Sequence, residues 1–166
     1  MESCDEFFGK IKSHFDFLFK DFGFSWASNN EEELGFDNCY VILKSDNCCI
    51  DIIKDRGNVL IEIGPSNSTD ENAFYIDYII DFINKDTTGK KRNQRQKEFF
   101  EGTDKSGLYD YIDHELISHA NKLKTYGKLI FNLFQKDTFQ KTELKLKGFI
   151  KKCREERFKK LSKKKV

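Results

Sequence analysis

Between Asn38 and Gly64 the chain changes from a helical period to a strand period, and that switch constrains the fold more than any other feature. Three runs, Cys39 to Leu43, Cys48 to Ile53 and Val59 to Ile63, are rich in β-branched side chains. Ser45-Asp46-Asn47 separates the first two and Asp55-Arg56-Gly57-Asn58 the second two. Asp, Asn and Gly tolerate the positive φ that tight hairpin turns demand. Ile50 and Ile52 share one face while Asp51 takes the other; Val59, Ile61 and Ile63 share a face opposite Glu62. The pattern predicts an antiparallel meander of three strands, or four, with one buried face.

Helical periodicity flanks this core. Phe8, Ile11, Phe15, Leu18, Phe19 and Phe22 recur every three or four residues, which predicts one amphipathic helix over 5–22, stopped by Gly23. Ser25 to Asp37 shows no periodicity and reads as a polar loop. After Gly64-Pro65-Ser66-Asn67-Ser68 closes the sheet, Ile76, Ile79, Ile80 and Ile83 mark a helix over 73–84, its start favoured by Asp70 and Glu71. Leu116, Ala120, Leu123, Ile130 and Phe134 trace a long helix. A break near Asp137-Thr138 precedes a last helix carrying Leu146, Phe149, Ile150, Cys153 and Phe158. The fold class is α+β: N-terminal helix, meander, helix, then a C-terminal helical hairpin. With 166 residues the chain is one domain or a small domain with an appendage. We read 1–84 as an acidic α+β module, 85–106 as a basic loop or linker, and 107–166 as a basic helical hairpin packed on the module.

The formal net charge of +1 conceals a polarity. Residues 1–83 hold 17 Asp and Glu against 6 Lys and Arg, whereas 84–166 hold 11 against 23. Such asymmetry marks two differently employed surfaces or two halves that attract each other. Five cysteines, an odd number with no CxxC pair, argue against a disulfide framework and for reduced thiols in a cytoplasm. No apolar run reaches the ~18 residues of a membrane-spanning helix, and the acidic start Met1-Glu2-Ser3-Cys4-Asp5-Glu6 lacks the features of a secretory signal.

Several catalytic patterns fail on spacing. His114-Glu115-Leu116-Ile117-Ser118-His119 is one residue longer than the HExxH zinc motif, which sets its histidines ~140° apart on a helix. Asp46, Asp51 and Glu62 with Lys54 invite comparison with Mg²⁺-dependent nucleases, the least unlikely enzyme reading, but the position two after Glu62 is Gly64 rather than Lys. No phosphate-binding glycine loop or nucleophile elbow occurs. These readings assign no catalytic residue, no metal ligand and no cofactor.

Val41-Ile42-Leu43-Lys44-Ser45-Asp46, Ile52-Ile53-Lys54-Asp55-Arg56-Gly57-Asn58-Val59 and Glu62-Ile63-Gly64 resemble a group of small uncharacterised bacterial proteins. In that group a Phe-rich N-terminal helix precedes a D-R-G hairpin and a C-terminal helical part; Arg154-Glu155-Glu156-Arg157-Phe158 is similar to it too. Some members look like immunity proteins of toxin systems, and the resemblance therefore implies binding rather than catalysis. The segment 85–106 lies outside the pattern.

Two functional expectations follow. The first is a non-enzymatic, cytoplasmic protein-binding module that neutralises a basic partner such as a toxin domain. Its acidic surface comprises Glu31, Glu32, Glu33, Asp37, Asp46, Asp51, Asp55 and Glu62. The alternative is a nucleic-acid-associated phage-defence or regulatory protein that contacts phosphates through Lys90, Lys91, Arg92, Arg95, Lys151, Lys152, Arg154 and Arg157. Residues 141–166 carry 12 Lys and Arg against 3 Glu, and the excess of Lys over Arg favours backbone contact over base reading.

Overall fold

The N-terminal apolar stripe does form helix, but in two pieces. The computed structural model of the chain describes residues 3–30, 38–68, 72–90 and 108–162. Helix α1 (Cys4–His14) begins with a capping box: the Glu6 amide donates to Ser3 Oγ at 3.2 Å and the Ser3 amide to the Glu6 carboxylate at 2.9 Å. Phe15 then leaves the helical region (φ −106°, ψ 15°) before α2 (Asp16–Phe22), which ends at Gly23 in the left-handed region (φ 67°). The single expected helix is thus corrected to two. With the break at Phe15, Phe15 and Leu18 are both fully buried, and Phe22 meets Phe131 edge-on at 5.0 Å.

The sheet has five antiparallel strands in sequential order: β1 (Ser25–Asn30), β2 (Cys39–Lys44), β3 (Cys48–Asp55), β4 (Asn58–Pro65) and β5 (Phe74–Tyr75). The β3–β4 turn takes positive φ at Arg56 (49°) and Gly57 (81°), as the Asp-Arg-Gly-Asn chemistry requires. Strand β1 corrects the expected loop over its first six residues. Its composition is polar, but its backbone pairs with β2 from Ser25↔Lys44 to Asn30↔Tyr40, with an irregularity between Trp26 and Ser28. Trp26 fixes it by stacking on Phe19 at 6.0 Å and meeting Phe8 edge-on at 6.5 Å. Residues 31–37 of that expected loop lie outside the described ones.

Alternation sends Cys39, Val41, Leu43, Ile50, Ile52, Ile61 and Ile63 to one face, where all are essentially inaccessible. Lys54 obeys the same parity and is equally buried, its Nζ 5.9 Å from the Phe7 ring centre. Helix α3 (Ile76–Ile83), α4 (Leu108–Leu133) and α5 (Phe139–Ser162) complete the chain. Phe7, Ile11, Ile79, Ile80, Leu116, Leu123, Ile130 and Leu146 join the strand residues in one continuous apolar cluster, so residues before 84 and after 107 share a core. Phe134 stacks on Phe139 at 5.4 Å across the α4–α5 turn, and Phe149 packs against Phe82 at 5.5 Å.

The cysteine expectation needs correction. Cys4 and Cys39 form a disulfide, because the first turn of α1 lies against the first residue of β2 with the two Cα atoms 5.7 Å apart. Cys48, Cys49 and Cys153 are buried thiols outside any disulfide, in line with their reading as small apolar side chains. The bridge withdraws the thiol-based argument for a reducing compartment. Among the described residues, no helix is long and apolar enough to cross a membrane.

Candidate partner-binding face

The alternation that fills the core leaves the opposite sheet face to a different set of side chains. Two rows run across it. Tyr40, Ile53 and Leu60 are register neighbours on β2, β3 and β4, and Ile42, Asp51, Glu62 and Tyr75 form the next row across β2 to β5. All are half-buried except Tyr75, which is exposed. The face is therefore an apolar field around a carboxylate pair. Asp51 and Glu62 stand directly opposite each other across β3 and β4, an arrangement in which like charges repel.

The Tyr75 hydroxyl is pushed up by burial first and then by the Glu62 carboxylate, to which it hydrogen-bonds; Arg154 of α5 acts in the opposite sense. Burial, and after it the Asp51 charge, pushes the Cys49 thiol up, which keeps it in its unreactive protonated form. The acidic candidates do not all converge on this pair. Asp46 is exposed in the β2–β3 turn, and Asp55 sits at the far end of β3, 3.9 Å from the Arg56 guanidinium. Glu31, Glu32, Glu33 and Asp37 lie outside the described residues.

Lys54 belongs to the other side of the sheet. Even-numbered residues of β3 point into the core, so its ammonium cannot stand beside Asp51 and Glu62 as a nuclease lysine would. No group of three metal-capable side chains occurs among the described residues.

The basic candidates also divide. Lys151, Lys152 and Arg154 are exposed on α5, whereas Arg157 is half-buried with its guanidinium over the Tyr78 ring at 5.6 Å. Lys90 is exposed; Lys91, Arg92 and Arg95 fall outside the described residues. Charge of opposite sign meets across the two halves at Lys122 and Asp77, 3.0 Å apart, and again at Asp113 and Lys10 (3.8 Å), where His14 Nε2 also hydrogen-bonds Asp113 at 2.8 Å.

One polar device was missed. Strand β4 extends beyond the two-residue β5, and there α4 covers its edge. The Glu115 carboxylate accepts from the Val59 amide, and His119 Nε2 lies 3.1 Å from the Val59 carbonyl oxygen. A carbonyl only accepts, so the ring carries its proton on Nε2. Burial first, then the Lys122 charge, lowers the His119 pKa to about 4, with Asp77 and the Val59 bond opposing. Burial likewise pushes the Glu115 carboxyl up. The signal was present in the sequence: Glu115 and His119 are four apart and share a helix face, whereas His114 and His119 do not.

Comparison with family models, with curated proteins and with solved structures returned no match.

Proposed function

We propose that this chain is a non-enzymatic binding module that neutralises a basic protein partner, in the manner of a toxin immunity protein, through the open face of its sheet. The observation that carries the reading is the Asp51–Glu62 pair, held in register amid Tyr40, Ile42, Ile53 and Leu60. Directly opposed carboxylates concentrate negative charge at one point of the face. A lysine or arginine delivered by a partner meets both carboxylates at once, and the apolar row supplies area that water leaves on docking. Complementary charge also speeds encounter at low salt.

The test is affinity capture with the whole chain as bait, comparing wild type with D51K/E62K. The reading requires a basic protein that wild type retains and the double reversal releases, with association slowing as salt rises. Equal retention by both baits, or retention of acidic proteins alone, removes this face as the binding surface.

A further inference from the structure

Helix α5 places Lys147, Ile150, Lys151, Arg154 and Phe158 on one face by their three- and four-residue spacing. That face forms one wall of an open groove of about 580 Å³, and Ala73 with Phe74 of β5 forms the other. The volume falls within the ~300–1,000 Å³ range of small-molecule pockets. Among the described residues, the cations Lys147, Lys151 and Arg154 line it with the acid Glu155, and Lys147 also pairs with Glu143 at 2.6 Å. Phe158 lines it too, with 75% of its surface in water, so its ring face is accessible to a ligand.

From this groove we infer a second site, separate in chemistry from the open sheet face, that takes a segment of single-stranded nucleic acid. The cations face the backbone phosphates, while Phe158 offers a ring on which a base stacks. Stacking on an aromatic platform within a positive groove is sequence-tolerant, because every base presents a π-face. The sequence set for phosphate contact is thereby redrawn. Lys151 and Arg154 stay, Lys147 and Phe158 enter, Lys152 does not line the groove, and Arg157 is held over Tyr78.

The experiment is fluorescence anisotropy of a labelled oligothymidylate of about a dozen nucleotides with the full chain at about 50 mM salt. Three phosphate contacts should give a slope of about −2 in log K against log salt. Phe158→Ala and Phe158→Leu should each weaken binding about tenfold while Phe158→Tyr preserves it, which separates stacking from mere apolar bulk. K151E/R154E should abolish binding at that salt, and Lys152→Glu should change it by no more than about twofold. All these side chains are exposed, and unchanged melting curves confirm that each variant folds. The inference is overturned by absence of binding at about 50 mM salt, by Lys152→Glu weakening binding as much as K151E/R154E, or by indifference to Phe158. Displacement of the oligonucleotide by polyglutamate, equally from wild type and from Phe158→Ala, likewise overturns it in favour of an acidic polypeptide.

Discussion

On the covered face of the sheet, Val41, Leu43, Ile50, Ile52, Ile61 and Ile63 are sealed under the helices. On the open face, Tyr40, Ile42, Ile53 and Leu60 keep part of their surface in water and surround two carboxylates. The strands are the same, and only parity separates the two sets. The covered face has nearly everything that packing demands, with Lys54 its one charged member. The open face combines partly exposed apolar area with two carboxylates in register. The first face is specified by packing; the second is the one the proposed function assigns to a partner.

That contrast can be broken at graded cost. Truncation on the covered face should be severe: Ile52→Ala is expected to lower unfolding free energy by about 2–5 kcal/mol, read from the denaturant midpoint. Reducing the Cys4–Cys39 bridge, whose partners are 35 residues apart in sequence, should cost about 3–4 kcal/mol through the freedom returned to the unfolded chain. A wild-type melting temperature as indifferent to reductant as that of a C4S/C39S control contradicts this.

Acid should act next. His119 has a lower pKa folded (about 4) than unfolded (6.5), so its contribution is complete above pH 6.5 and is lost as pH falls toward 4. The loss approaches about 3 kcal/mol, and His119→Gln should flatten that limb of the stability profile. Glu115 opposes it: its raised pKa favours the folded state at low pH and withdraws that support as the carboxyl ionises.

The open face should respond little, or in the reverse direction. Ile53→Ala should cost less than about 1 kcal/mol, since its side chain already meets water. Glu62→Gln should stabilise the fold by about 0.2–1 kcal/mol by removing the repulsion with Asp51 while keeping an acceptor for Tyr75. The same substitution should weaken capture of a basic partner. A destabilised Glu62→Gln would show that the pair is structural.

Much of this architecture was legible in the sequence because periodicity reports burial. The meander, both hairpin turns, the α3 isoleucines and the two long C-terminal helices follow from it. What escaped depends on partners that periodicity does not encode. Strand β1 is held by backbone pairing and Trp26, so its Ser and Asn residues carried no strand signal. The break at Phe15 leaves the apolar spacing intact while redirecting the helix. The Cys4–Cys39 bridge needs two segments brought together in space. Lys54 reads as solvent-facing by charge and core-facing by position, and position prevailed. On the open face, the strand pattern already set Asp51 and Glu62 apart from the core, but only register made them neighbours.

The hold of Glu115 and His119 on Val59 has a consequence for solution behaviour. A β-edge with bare amide and carbonyl groups is a template for recruiting strands from other molecules. By occupying both groups of Val59, two side chains of α4 act as a guard against polymerisation where β5 is too short to serve. Acid puts its proton on His119 Nδ1 and leaves the Nε2–H bond to Val59 in place, so the guard fails only through the unfolding that a buried charge promotes, and turbidity is the first sign to look for when the protein is stored near pH 4.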